Sequence, residues 1–224
     1  MLKMREVGQL RVVLAELSRH APFTGFGALT GIAFMVIIVS GGFLDSISPH
    51  SEDIFYVLHP AHVALSAVVT TAMYIRYAKG KIWMAILIGY TGALTIATLS
   101  DSIVPYLGET LLDLPNKGIH VGFIEKWWLV HPAALLGITI GCWKEATRFP
   151  HSGHVLISTW ASSFHIVMAL GGTLGWIQYL AISLFLFLAV WLPCCVSDIV
   201  YPLLFVRREP ARIATPRKVW NPRK

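Results

Sequence analysis

The feature that most constrains this chain is a series of apolar runs, several of them as long as a bilayer-spanning helix. About 18 to 20 apolar residues in helical form cross the hydrocarbon core. Of the 224 residues, 55% are hydrophobic and 13% are charged, about half the charge of a soluble domain. The sequence therefore predicts an all-α integral membrane protein whose first partner is the lipid bilayer. Water-soluble classes, nucleic-acid binding among them, are excluded despite the formal net charge of +6.

Turn residues divide the apolar sequence into six predicted spans, which would form a six-transmembrane-helix bundle within residues 23–206. Their approximate bounds are 23–43, 54–74, 82–104, 123–143, 154–170 and 176–195. Pro105 is expected to end the third span, with a loop at 106–120 after it. The bundle would lie between an amphipathic interfacial segment at 1–22 and a basic, proline-containing cytoplasmic tail at 207–224.

The distribution of basic residues predicts how the bundle is oriented. With six crossings, sixteen of the eighteen Lys and Arg residues fall in segments on one side of the membrane. Lys117 and Lys126 fall on the other side, where most of the acidic residues also lie. The positive-inside rule therefore places both termini in the cytoplasm, and the chain is expected to be a multi-pass protein of the cell membrane.

Two histidines three residues apart, His59 and His62, lie near the start of the second predicted span. Residues at this spacing share one face of a helix, and ionisable groups inside a membrane indicate a functional site. Counting about 1.5 Å per residue puts both in the outer leaflet, level with Asp101 on span three and His131 on span four. The sequence predicts a metal site formed by His59, His62, Asp101 and His131.

The expected cofactor is copper or another transition metal, because imidazole suits copper, zinc, iron and nickel and a carboxylate widens this set. The alternative is haem b held by two opposed imidazoles, with His62, His131 and His165 as candidate ligands. A histidine beside proline near a helix start is also explained as an interfacial cap. His151, His154, Cys194 and Cys195 fall on the inner side, apart from the first set, and a second metal site there is the less favoured interpretation.

Short sequence anchors indicate a 3+3 inverted repeat. The matched anchors are Pro49-His50-Ser51 with Pro150-His151-Ser152, His62 and Ser66 with His154 and Ser158, and Ser100-Asp101 and Pro105 with Ser197-Asp198 and Pro202. An odd number of spans in each half would invert the halves about an axis in the membrane plane, a plan common in transporters. A competing register matches His131-Pro132-Ala133 with His59-Pro60-Ala61.

One stretch of the second half carries a family resemblance. It contains His131-Pro132, a polar break at 144–152, and His154 opening a span that ends at Gly171-Gly172. In this stretch the chain resembles the CtaG-type membrane proteins, which are multi-span, histidine-rich assembly factors of copper-containing cytochrome oxidases. The resemblance covers residues 131–172 and implies copper handling for a membrane oxidase.

These observations favour a non-catalytic accessory subunit or assembly factor of a metal-containing membrane oxidase or monooxygenase, with copper as the expected metal. Its expected partners are subunits of a larger membrane complex. The alternatives are a small metal-ion or proton-coupled transporter, a b-type haem electron carrier, and a purely structural subunit. The sequence contains no GxSxG, Walker, HExxH or dinucleotide-binding motif, so the chain is not expected to be an enzyme by itself.

Overall fold

The computed structural model describes residues 2–78, 81–143, 148–195 and 200–205, and its regular structure in these ranges is helical. The predicted basic tail at 207–224 lies outside the described residues. The elements are α1 Leu2–Ser40, α2 Leu44–Ala78, α3 Ile82–Thr98, a π-helix Leu99–Ile103, α4 Val104–Leu111, α5 Gly122–Glu125, α6 Trp127–Trp143, α7 Arg148–Ala169, α8 Trp176–Cys195 and α9 Tyr201–Leu204.

In the ranges that the structure describes, four stretches of helix are long and apolar enough to cross a membrane, which confirms a helical protein of membrane type. They are Ala21–Ser40, Leu44–Arg76, Ile82–Leu111 and Trp176–Cys194. A fifth, shorter apolar helix covers Trp127–Trp143. The count of six spans, the inverted repeat and the orientation stay predictions.

The first helices are longer than the sequence suggested. Residues 2–40 form one continuous helix with Pro22 inside it, and no break separates the first 22 residues from the apolar part. A distinct interfacial segment at 1–22 stays a prediction. Helix α2 begins at Leu44 instead of residue 54 and contains both Pro49 and Pro60. His62 therefore lies near the middle of a long helix.

The prediction that Pro105 ends the third span is wrong. At the π-helix the N–H of Val104 donates to the carbonyl of Leu99, one residue further back than in an α-helix. Pro105 then occupies the first turn of α4, where its missing N–H is tolerated. The helix continues to Leu111, so the connecting loop is 112–121 and Glu109 lies within a helix.

Helix α7 is packed on several sides by other helices of the bundle. It packs against α1, α2, α8 and the π-helix, and its polar side chains Ser158, Thr159, Ser162, Ser163, His154 and His165 are all buried. A lipid-facing helix could not carry so many polar groups without a large desolvation cost. Hydrogen bonds with the surrounding helices offset the cost of burying these polar groups. Because of its polar residues, α7 is not among the four strongly apolar stretches.

Small residues allow α2 and α6 to approach closely, as is common between helices in membranes. A Cβ added to Gly137 would lie 2.1 Å from the backbone oxygen of Ala64 and 2.9 Å from the Cβ of Ala67. These contacts fix the position of α6 against the part of α2 that follows His62.

Replacing Gly137 by valine should force α2 and α6 apart and lower the free energy of unfolding by about 1–3 kcal/mol, the usual cost of overpacking. Thermal unfolding in detergent measures the effect. Gly172→Ala is the matched control, because an added Cβ there meets no described atom within 4 Å. Equal midpoints for the two variants would contradict the close approach.

Candidate metal centre

The polar centre of the bundle is the carboxylate of Asp101, which is fully buried. Its Oδ2 lies 2.9 Å from Nδ1 of His59 and 2.7 Å from Nδ1 of His62. Its Oδ1 accepts hydrogen bonds from the hydroxyls of Ser100 at 2.8 Å and Ser158 at 2.6 Å. A buried carboxylate is tolerated only when its lone pairs are satisfied, and these four donors satisfy them.

Local sequence brings these groups together from three helices. The spacing of His59 and His62 places both rings on one face of α2. The Nδ1 atoms of both rings lie within hydrogen-bond distance of the same oxygen of Asp101. Asp101 lies in the middle of the π-helix, an element that often marks functional sites. The hydroxyl of Ser162 donates to the carbonyl of Ser100 at 3.1 Å, which ties this turn to α7.

A second group of side chains lies beside Asp101 and has the donor atoms of a metal site. One ligand atom each from His62, His154 and Cys194 lies within 4.8 Å of the others, and all three residues are buried. Nε2 of His62 is 3.9 Å from Sγ of Cys194. The rings of His62 and His154 stack with centroids 5.5 Å apart and an interplanar angle of 18°. Among the residues that the structure describes, no other set of three His, Cys, Asp or Glu residues meets this distance criterion.

Asp101 lies beside this trio and hydrogen-bonds one of its members without being one of the three candidate ligands. Since Asp101 accepts from Nδ1 of His62, Nε2 of that ring holds the lone pair and faces Cys194. Carboxylates commonly orient metal-binding histidines in this way. The thiol of Cys194 lies 3.9 Å from Oγ of Ser158, which in turn donates to Asp101. Asp101 is thus linked to two of the three candidate ligands.

The structure brings together three of the four residues predicted as metal ligands and separates the fourth. His59, His62 and Asp101 meet as expected. His131 instead pairs with Tyr90 on α3, with Nδ1 2.8 Å from the phenol oxygen and the two rings stacked. The group with metal-binding spacing shares only His62 with the predicted set.

His154 and Cys194 belong to the trio with His62, although the sequence predicted that they lie apart from it. Both were expected on the inner side of the membrane, far from His62. Phe55 contacts His165 and His62 contacts His154. These contacts show that α2 and α7 run antiparallel. His154 therefore lies level with His62. The matching spacing of His62 with Ser66 and His154 with Ser158 was the signal that related the two histidines.

A second buried acid–histidine pair lies nearer the 112–121 loop, at what we call the loop end of the bundle. Oε1 of Glu109 is 2.6 Å from Nδ1 of His165, and both side chains are buried. Oε2 of Glu109 lies 3.4 Å from the N–H of Gly118 in the loop. His165, a candidate haem ligand from the sequence, lies on the loop side of His62.

A third pair lies in the loop end itself, outside the long apolar helices. Nδ1 of His120 is 3.5 Å from Oε2 of Glu125, and the phenol of Tyr56 donates to the same carboxylate. Burial alone would raise the pKa of Glu125, but hydrogen bonds from Tyr56 and the N–H of Val121, together with His120, lower the pKa below its ordinary value. Glu125 is therefore ionised at neutral pH.

Comparisons with known proteins do not assign this chain to a group: no family model, curated protein or solved structure matches it.

Replacing Asp101 by leucine should lower the free energy of unfolding by about 3–5 kcal/mol, because removing one partner leaves buried donors without their acceptor. Ser102→Ala is the control on the same turn, since the Ser102 hydroxyl is buried without a hydrogen-bond partner in the described ranges. That control should cost about 1 kcal/mol or less. Unfolding midpoints in detergent measure both, and equal losses would contradict a central role for the carboxylate.

Proposed function

We propose that this chain is a multi-pass membrane protein that binds a transition-metal ion between α2, α7 and α8. The observation that carries the proposal is the buried trio of His62, His154 and Cys194, whose ligand atoms lie within 4.8 Å of one another. Three separate helices supply them, and Asp101 orients one of the rings. Such a convergence of soft ligands in an apolar bundle is costly unless a bound ion uses it.

The donor set favours copper(I) or zinc. Thiolate together with imidazole suits both ions. A tetrahedral site with metal–ligand bonds of about 2.0–2.3 Å has ligand atoms about 3.6 Å apart. The distance from Nε2 of His62 to Sγ of Cys194 is 3.9 Å, so a small inward movement of side chains would complete the coordination. Haem is favoured less, because it needs opposed rings with a slot between them, whereas His62 stacks directly on His154.

The proposed role is that of an accessory subunit or assembly factor for a copper-containing membrane oxidase or monooxygenase. A site of two imidazoles and one thiol supports this role, since thiolate and imidazole ligands bind copper. The likeness of residues 131–172 to CtaG-type proteins points the same way. In this proposal the chain has six spans and both termini in the cytoplasm, as its basic residues indicate.

Metal-ion transport is a second candidate, favoured by one observation. His62 and His154 hold matching places in the proposed inverted repeat, and they meet where the antiparallel helices α2 and α7 touch. In transporters built from inverted repeats, the binding site lies at the repeat interface near the bilayer midplane. Ser197-Asp198, the repeat counterpart of Ser100-Asp101, lies outside the described residues.

Removing a ligand should remove the metal. We expect His154→Ala and Cys194→Ala to lose the copper or zinc that the loaded wild type retains, measured by elemental analysis after desalting. Asp101→Asn should keep the ligands and weaken binding by about 10–100-fold, as loss of an outer partner does. A competition titration with a chromogenic chelator gives that affinity.

Cys142→Ser is the matched control, because Cys142 lies on α6, apart from the trio. Its metal content should equal that of the wild type. Unchanged content in His154→Ala and Cys194→Ala would overturn the metal site. Mass spectrometry of the native complex separates the two roles, since an accessory subunit co-purifies with oxidase subunits and a transporter does not.

A further inference from the structure

Between its loop end and Asp101, the bundle holds more ionisable groups than a metal site requires. Three acid–imidazole pairs follow one another from the surface inward. They are Glu125 with His120, Glu109 with His165, and Asp101 with His59. The first pair is partly exposed, with 26% of the His120 side chain accessible, and the other two are buried. Chains of acidic residues and histidines inside membranes are typical of proton relays.

The middle pair has the chemistry of a proton-binding site. An ionised Glu109 only accepts hydrogen bonds, so Nδ1 of His165 carries the proton that it shares with Oε1 at 2.6 Å. Nε2 of His165 then holds a lone pair. This atom is buried and has no hydrogen-bond partner in the part of the chain that the structure describes. The lone pair can accept a proton whose positive charge the adjacent carboxylate would neutralise.

Aromatic rings pack around His165 and indicate from which side a proton would reach it. The His120 ring lies edge-on to the His165 ring, with centroids 5.3 Å apart, and it is the nearest partly exposed imidazole. On the inner side the ring of Phe55 lies against both His165 and His59, with centroids 5.5 Å and 5.3 Å away. Phe55 is fully buried, and its ring contacts connect the Glu109–His165 pair to His59.

We propose that Glu109 and His165 form a proton-binding site, loaded through His120 from the loop end, and that the protein moves protons through this site when a metal ion moves through the bundle. This inference rests on the second candidate function, metal-ion transport, and adds proton coupling to it. The charges facing His165 are Glu109 on α4 and His120 in the loop; the group facing it from α2 is the uncharged Phe55.

Each transfer keeps protons in balance. His120 takes a proton from water and passes it to Nε2 of His165. His165 gives the proton on Nδ1 to Oε1 of Glu109, so that the ring returns to its neutral form with the other nitrogen protonated. Glu109 then holds a neutral carboxylic acid until the proton leaves toward His59, whose own Nε2 is buried and lacks a described hydrogen-bond partner. Before the next transfer the His165 ring returns to the form with its proton on Nδ1, by rotation of the ring and exchange of the Nε2 proton.

The experiment uses the full chain reconstituted into liposomes that contain a pH-sensitive dye. A potassium diffusion potential drives ions inward, with and without zinc or copper(I) outside, and the initial rate of internal acidification is recorded. Glu109→Gln should lower the rate by about a hundredfold, the lower range for loss of one positioned proton-transfer group. His165→Gln should do the same. His131→Gln is the matched control, because that ring pairs with Tyr90 and not with an acid, and it should keep the wild-type rate.

Metal binding by each variant, measured by chelator competition, reports folding and separates this inference from the metal proposal. Wild-type metal binding in Glu109→Gln with a lost proton flux supports the site. Equal flux in Glu109→Gln, His165→Gln and wild type overturns it, as does an equal loss in His131→Gln. Acidification no faster than in protein-free liposomes under every condition also overturns it. Wild-type flux that is the same with and without metal overturns the coupling of protons to metal movement. A wild type that binds no metal rejects the metal centre.

Discussion

The buried carboxylate of Asp101 is the interaction on which the arrangement of this bundle depends. It accepts four hydrogen bonds from residues on α2, the π-helix and α7. Helices in a membrane gain little from hydrophobic burial against one another, so packing and polar contacts fix their positions. A single carboxylate that accepts hydrogen bonds from three helices sets their relative height and rotation. The candidate ligands, the stacked rings and the loop-end pairs all follow from that alignment.

The sequence predicted the helical membrane fold and part of this centre, because both depend on local patterns. Apolar runs predict helices wherever they are long enough, and the spacing of His59 and His62 places both on one face whatever the rest of the fold does. Their meeting with Asp101 followed from depth counted along predicted spans. The same reasoning grouped His131 with them, but depth alone does not specify which side of a helix faces the centre.

The other differences arise where depth was counted from an incorrect helix start. Because α2 begins at Leu44, His62 lies deeper than a span starting at residue 54 implies, and it reaches the level of His154. Glu109 was assigned to a loop because proline usually ends a helix, and a π turn that carries the chain past Pro105 leaves no local sequence pattern. The contacts of Cys194 likewise depend on how α8 packs, which no local pattern encodes.

The burial of α7 has a consequence for how the protein is made. A segment with two histidines and several hydroxyls in its core-facing positions is a poor substrate for independent insertion into lipid. The hydrogen-bond acceptors of its serines and of His165 on other elements lie on the π-helix and α4, which precede it in the chain. Helix α8, which follows it, also packs against it. Synthesis therefore delivers the acceptor Asp101 to the membrane before the donor Ser158. The order of elements along the chain therefore brings α7 to the membrane after the π-helix and α4 that hold its partners.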